Sequence, residues 1–93
     1  MIQSFADTET ERFWVTRRSR RIPSTIQATA LRRLAQLSAA VVLGDLASPP
    51  GNRLEALKGN HRGQHSLRIN DQWRLVFTWK SDGPHAVEII DYH

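Results

Sequence analysis

The chain of 93 residues lacks cysteine, which excludes disulfides and thiolate metal sites. Long apolar runs are also missing, since none approaches the roughly 18 residues that a membrane-spanning helix needs. Acidic residues are outnumbered, with 9 Asp and Glu against 13 Lys and Arg. Three of the acids (Asp7, Glu9 and Glu11) lie where a signal peptide would carry its apolar segment. We therefore expect an unprocessed cytoplasmic protein whose partners are polyanionic or acidic and do not include a membrane.

Motifs for metal and nucleotide binding are absent as well. The histidines His61, His65, His85 and His93 do not have the spacing of zinc ligands. No phosphate-binding loop and no dinucleotide-binding glycine pattern occurs. We therefore expect neither a metal site nor a cofactor, and we expect His65 to pack at the edge of the core.

The first half of the chain has the periodicity of helices. Residues 2–5 are apolar at alternate positions and predict a short strand. Asp7 is the predicted N-cap of a first helix, which buries Phe13 and Trp14. Pro23 separates this helix from a second one, whose apolar stripe consists of Ile26, Ala30, Leu34, Leu37 and Val41. A pair of prolines closes the helical half, because proline cannot continue a helix.

The second half changes to a period of two, which predicts strands at residues 53–57, 64–69, 73–80 and 86–90. The helices must cover the face that carries Leu75 and Phe77. The opposite face then carries Arg68 and Arg74, two cations on neighbouring strands that can grip a phosphate. The sequence thus predicts one α+β domain over residues 1–93. In it, an N-terminal strand and two helices pack on one face of a twisted, mainly antiparallel sheet.

The chain ends on three functional side chains, those of Asp91, Tyr92 and His93. The preceding strand should hold the first two in place, although terminal residues often fray. His93 titrates near neutral pH and can act as a general acid or base, a task that Asp91 can share. Tyr92 offers a flat surface for a nucleobase, a contact worth about 1–3 kcal/mol.

Cations and one further carboxylate complete the candidate site for RNA transesterification. Lys58 and Arg74 can neutralise the charge that develops on the phosphorane, and Glu55 is another candidate base. The basic loop at residues 58–63 can cradle a backbone phosphate, although a polar turn between strands has the same composition. The candidates for RNA binding are Arg68, Arg62 and His61.

Several segments together resemble a known family. They read MIQSF at residues 1–5, PPGNRLEALKG at 49–59, GQHSLRIN at 63–70, WRLVF at 73–77 and DYH at 91–93. The chain resembles the HigB toxins of the RelE/ParE superfamily of bacterial toxin–antitoxin systems, also called plasmid-maintenance killer proteins. This resemblance covers essentially the whole chain.

The resemblance implies a RelE-like fold and a ribosome-dependent endoribonuclease that cuts mRNA in the decoding site and halts translation. It also implies neutralisation by a HigA-like helix-turn-helix antitoxin. The toxin–antitoxin complex would repress its own operon, so that operator DNA is contacted only through the antitoxin.

The resemblance further implies a site on the concave sheet face. The positions that match residues implicated in the family's active site are Lys58, Arg74, Asp91, Tyr92 and His93. Some relatives have a histidine where this chain has Glu55. A carboxylate cannot serve as a cation and repels phosphate, so Glu55 remains a candidate only as a general base.

Two other functions stay open at this point. ParE-type relatives poison DNA gyrase without any nuclease chemistry, and a basic domain can bind nucleic acid without catalysis. The arginine groups on the helical side also stay open. They consist of Arg17, Arg18, Arg20 and Arg21, followed by Arg32 and Arg33. They can meet an acidic antitoxin surface, ribosomal RNA or only solvent.

Overall fold

Helix α1 (Thr8–Thr16) begins at the predicted cap in the computed structural model, which describes residues 1–92. The Asp7 carboxylate accepts a hydrogen bond from the Thr10 backbone N–H at 2.6 Å, as the sequence predicts. Arg17 ends the helix in the left-handed conformation, with a φ of 65°. Phe13 is fully buried and anchors this helix on the sheet.

Helix α2 (Ser24–Ala39) follows Pro23 and buries four of the five residues of the predicted stripe. The prediction for the fifth is wrong, because Val41 is 83% exposed. The helix stops at Ala39 and the chain turns to an extended conformation at Ala40. The predicted helical period therefore no longer applies at Val41.

The four strands are β1 (Glu55–Ala56), β2 (His65–Arg68), β3 (Trp73–Lys80) and β4 (Gly83–Asp91). They form an antiparallel meander in the order β1-β2-β3-β4. The strand predicted at residues 53–57 is shorter, because a 3₁₀ turn at Pro50–Asn52 precedes it and Arg53 has a left-handed φ of 46°. Strand β4 starts earlier than predicted, since Gly83 already pairs with Lys80.

The N-terminal segment lies along the outer edge of β4. Residues 2–5 do not form a regular strand, and their ladder is reduced to one parallel bridge between Phe5 and Val87. The Gln3 N–H donates to the Pro84 carbonyl at 2.8 Å, and Val87 N–H donates to the Ser4 carbonyl at 3.1 Å. Helix α1 starts only three residues after Phe5, which leaves little chain for further pairing.

The core fills the space between the helices and one face of the sheet, as predicted for an α+β fold. Its largest fully buried side chains include Phe13, Leu34, Leu37, Leu67, Leu75, Phe77 and Ile89. His65 lies at the margin of this core, half-buried, with its ring stacked 6.2 Å from that of Phe77. Among residues 1–92, no helix is long and apolar enough to cross a membrane.

Candidate functional site

The sheet face opposite the helices carries two arginines in direct register. Arg68 on β2 is the pairing partner of Arg74 on β3, which confirms the predicted juxtaposition. Arg68 forms an ion pair with Asp71 in the turn between these strands. One Nη of Arg74 donates to the Asn70 carbonyl, and also to the Trp73 carbonyl at 3.2 Å. Both guanidinium groups are therefore held at the same end of the sheet.

On the same face, a second row of residues that pair across neighbouring strands runs through all four strands. Glu55 pairs with Ser66, Ser66 with Val76, and Val76 with Glu88. Glu55 is exposed on the short edge strand, while Glu88 is half-buried on the other edge. The arrangement brings a carboxylate to each end of one row, next to the row that contains Arg68 and Arg74.

The end of the chain is fixed to the β2–β3 turn. The Tyr92 N–H donates to the Gln72 carbonyl at 2.7 Å, and Gln72 Nε2 donates to Asp91 Oδ2 at 2.8 Å. In register, Asp91 pairs with Trp73 on β3. Successive side chains of a strand point to opposite faces, so Asp91 leaves the strand on the face of Trp73. His93, the predicted acid or base, lies outside the described residues.

The loop after β1 brings further predicted residues to the site. A surface pocket of about 410 Å³ is lined by Leu57, Lys58, Gly59 and Arg62. Two cations thus flank one opening with a leucine at its wall. His61 forms a hydrogen bond through Nδ1 with Gln64 Oε1 at 2.9 Å. Its ring centroid lies 6.1 Å from that of Tyr92, so the loop and the end of the chain meet.

The described residues therefore form three groups. Arg68 pairs with Arg74, Lys58 with Arg62 around the pocket, and His61 with Tyr92. Glu55 lies on the same sheet face as the arginines, whereas the strand alternation separates Asp91 from that face. Over residues 1–92, no cluster of three or more His, Asp or Glu side chains is arranged to hold a metal ion.

Comparison with known proteins identifies the family. The family model described as the RelE-like toxin of the type II toxin-antitoxin system HigB matches residues 3–93. The chain is 43% identical over 94 residues to Toxin HigB-1 of Vibrio cholerae serotype O1 (strain ATCC 39315 / El Tor Inaba N16961), covering 100% of this chain and 98% of that protein. This chain belongs to the HigB-like toxins. The family resemblance of its sequence motifs is confirmed.

Solved structures show the same fold for this HigB-like toxin. The toxin is similar to a chain of the YoeB-YefM complex from Staphylococcus aureus, with a TM-score of 0.61 and 17% sequence identity. The match covers 100% of this chain and 98% of that chain. A heterotetrameric YoeB-YefM toxin-antitoxin complex from the same organism gives the same values. The predicted RelE-like α+β fold is thereby confirmed.

The sequence did not predict that three further residues lie around the site of this HigB-like toxin. Glu88 interrupts an apolar strand, and that interruption was the signal that it faces away from the core. Arg33 projects from α2, and its Nε donates to the Arg68 carbonyl at 2.9 Å. Arg53 lies close enough to Asp71 that its charge helps to lower the pKa of that carboxyl. For the two arginines, no local pattern indicates the contact.

Proposed function

We propose that this HigB-like toxin is a ribosome-dependent endoribonuclease, which cuts mRNA in the cytoplasm and thereby inhibits translation. The observation that carries the proposal is the register of Arg68 and Arg74 on one sheet face, beside the β2–β3 turn that binds the Tyr92 backbone. The Tyr92 ring in turn contacts His61 of the basic loop. A face with fixed guanidinium groups and an aromatic ring suits a single RNA strand, which offers phosphates and bases in alternation.

The proposed reaction is attack of the ribose 2′-hydroxyl on the adjacent phosphorus. The bond from phosphorus to the 5′-oxygen breaks, which leaves a 2′,3′-cyclic phosphate and a 5′-hydroxyl. A base must accept the 2′-hydroxyl proton and an acid must protonate the leaving oxygen. We assign these proton transfers to His93 together with Glu55, which lies on the face of the arginines, without dividing the roles between them. If two of these groups interact strongly, a pH profile will report the pair.

The cations would stabilise the phosphorane. Arg74 is oriented by two backbone carbonyls, so its remaining N–H groups are available to phosphate oxygens. Lys58 lies at the rim of the pocket with Arg62, where it can meet the same phosphate or its neighbour. Preorganised charges of this kind supply a large share of transition-state stabilisation. Tyr92 would stack on a base and fix the in-line geometry, while Arg68, Arg62 and His61 bind the flanking RNA.

An antitoxin of the HigA-like helix-turn-helix type is the proposed protein partner. The family model describes a type II toxin–antitoxin system, and the YoeB-YefM structures are toxin–antitoxin complexes. We further propose that the complex represses its own operon, with operator DNA contacted by the antitoxin.

The test is to map mRNA 5′ ends by primer extension. Purified toxin is added to translating ribosomes and, separately, to free RNA. The variants are His93→Ala, Arg74→Gln and, as a control with the same charge change on the helical side, Arg20→Gln. Cuts within codons that require ribosomes, fade with His93→Ala and Arg74→Gln, and persist with Arg20→Gln are the expected result.

Other outcomes would overturn parts of this proposal. Cuts on free RNA alone would remove the ribosome from the mechanism. Absence of cuts under all conditions would contradict the nuclease and favour gyrase poisoning, which DNA supercoiling and cleavage assays then measure. Ribosome binding without cuts would favour a non-catalytic RNA-binding toxin.

A further inference from the structure

Four arginines from different parts of the chain meet near the β2–β3 turn. Arg68 and Arg74 pair across the two strands. Arg33 reaches them from helix α2 through its hydrogen bond to the Arg68 backbone, at 2.9 Å. Arg53 comes from the segment before β1 and lies close enough to Asp71 in the turn for its charge to lower the pKa of that carboxyl. We call these four residues the turn arginines.

One carboxylate lies among the turn arginines. Asp71 forms the ion pair with Arg68, yet its side chain is 98% exposed. The pKa of Asp71 is lowered, first by the hydrogen bond and charge of Arg68 and then by the charges of Arg74 and Arg53. A single, solvent-exposed anion thus experiences three guanidinium groups at once.

The turn arginines carry more positive charge than this carboxylate can balance. The salt bridges within residues 1–92 include Arg68 with Asp71, but none with Arg33, Arg53 or Arg74. The pKa of Arg33 is lowered by its partial burial and then by the charges of Arg32 and Arg68. Like charges held together in this way form a site for a second anion.

We propose that the turn arginines bind a phosphodiester of RNA next to the phosphate that is cut, with Arg74 shared between the two phosphates, and that Asp71 occupies this place in the free toxin. The proposal rests on the proposed function, because Arg74 belongs to both sites and the Tyr92 backbone is bound to the same β2–β3 turn. Guanidinium groups bind phosphate oxygens through two parallel N–H groups. With Arg33 and Arg53, the pair formed by Arg68 and Arg74 becomes a cluster of four guanidinium groups.

The Asp71 side chain can turn away from Arg68 with little loss of folding stability. An exposed surface ion pair contributes little to stability, since water solvates the carboxylate once it turns outward. While Asp71 remains, it competes with phosphate for Arg68. Removal of its charge should therefore strengthen RNA binding, whereas removal of Arg53 should weaken it.

The test uses a short fluorescent RNA in which every ribose is 2′-O-methylated, so that 2′-hydroxyl attack is blocked. Binding is followed by fluorescence anisotropy over a series of salt concentrations. We expect Asp71→Asn to bind about two- to fivefold more tightly, which is the effect of one exposed charge. We expect Arg53→Gln to bind more weakly and to reduce the slope of log K against log salt by about 0.7, the value for one phosphate contact on a single strand.

The matched control is Arg20→Gln, which removes the same charge from an exposed position on the helical side. Its affinity and salt slope should equal those of the unmodified toxin. Equal losses for Arg20→Gln and Arg53→Gln would show a general charge effect and overturn the site. Unchanged affinity in Asp71→Asn, or no measurable binding by the unmodified toxin at low salt, would also overturn it.

The proposed nuclease activity and the proposed phosphate site at the turn arginines can be refuted independently. If primer extension finds no cleavage but the methylated RNA distinguishes Arg53→Gln from Arg20→Gln, the phosphate site stands and the nuclease does not. If cleavage is found and both variants bind equally, only the phosphate site is overturned. Thermal unfolding of each variant confirms that it is folded before binding is compared.

Discussion

The ring of Tyr92 lies 6.1 Å from the ring of His61, and the two ring planes are tilted by 59°. Each ring is tied to a different element. The Tyr92 backbone is bound by the β2–β3 turn, while the His61 imidazole is bound to Gln64. This contact joins the end of the chain to the basic loop, although 30 residues separate them in the sequence. It therefore brings an aromatic surface to the basic loop that carries Lys58 and Arg62.

The aromatic surface should contribute to RNA affinity more than to stability. Tyr92→Leu keeps apolar bulk but removes the flat ring. We therefore expect the free energy of binding to the methylated RNA to become less favourable by about 1–3 kcal/mol, the range for one stacked base. The thermal midpoint should change little, because Tyr92 lies beyond the end of β4 and leucine keeps its apolar bulk. Tyr92→Phe is the control, since it retains the ring. Equal losses of affinity in Tyr92→Phe and Tyr92→Leu would contradict stacking and indicate a role for the hydroxyl group.

Gly83 should be the glycine that least tolerates a side chain. A Cβ built at this position would lie 2.9 Å from the Met1 carbonyl oxygen, and its φ of +122° is unfavourable for any L-residue. We expect Gly83→Ala to lower the free energy of unfolding by about 1–3 kcal/mol, the cost of one strained backbone position. Urea unfolding measures this change. Hydrogen exchange at the Gln3 amide should quicken as well, because that amide bonds to Pro84.

A matched substitution separates this effect from a general one. A Cβ at Gly44 would meet no atom within 4 Å and its φ is ordinary, so Gly44→Ala should leave stability nearly unchanged. Equal unfolding free energies for the two variants would contradict the prediction, because neither the close contact with Met1 nor the positive φ of Gly83 would then cost stability.

The parts of the fold that were predictable depend on neighbours in sequence. Helix α1 starts at Asp7 because a carboxylate cap and its N–H partner are three residues apart. Strand β3 and the juxtaposition of Arg68 with Arg74 follow from alternation on both sides of a tight turn. In each case, the information lies within a window of a few residues.

The remaining features depend on contacts between distant residues. Arg33 and Arg68 are 35 positions apart, and only the packing of α2 on the sheet brings them together. Val41 continues a helical period, but the helix has already ended. The sequence assigns Asp91 to the same candidate site as Arg74, and the pairing of β3 with β4 places Asp91 opposite Trp73. Tertiary packing and strand register decide the positions of Arg33 and Asp91, whereas the end of α2 decides that of Val41.

The hydroxyl of Thr10 should stabilise the attachment of α1 to the sheet. Thr10 is fully buried, and its Oγ1 accepts the Ile89 backbone N–H at 3.2 Å. Thr10→Val keeps the shape but leaves that N–H without this acceptor, so we expect a loss of about 1–3 kcal/mol in unfolding free energy. Urea unfolding provides the measurement. Thr10→Ser retains the acceptor and should lose less, and the opposite order would contradict a role for the hydrogen bond.

Asp45 should give the toxin a stability contribution that depends on pH. Its Oδ2 accepts the Val41 N–H at 2.9 Å and the Val42 N–H at 3.2 Å. The hydrogen bond from Val41, followed by that from Val42, lowers the pKa of this carboxyl. A carboxyl whose pKa is lower in the folded state stabilises that state above its unfolded pKa of about 3.9. The contribution is lost as pH falls through the lower, folded value.

Asp45→Asn isolates this contribution because the amide oxygen can still accept a hydrogen bond but carries no charge. We expect the thermal midpoint of the variant to lie below that of the unmodified toxin by a constant amount near neutral pH. As pH falls below about 4, the difference should shrink because the carboxyl becomes neutral in both states. Asp71 and Asp82, whose pKa values are also lowered, are present in both proteins and cancel in the comparison. A difference that stays the same from neutral to acidic pH would show that Asp45 acts by hydrogen bonding alone, without its charge.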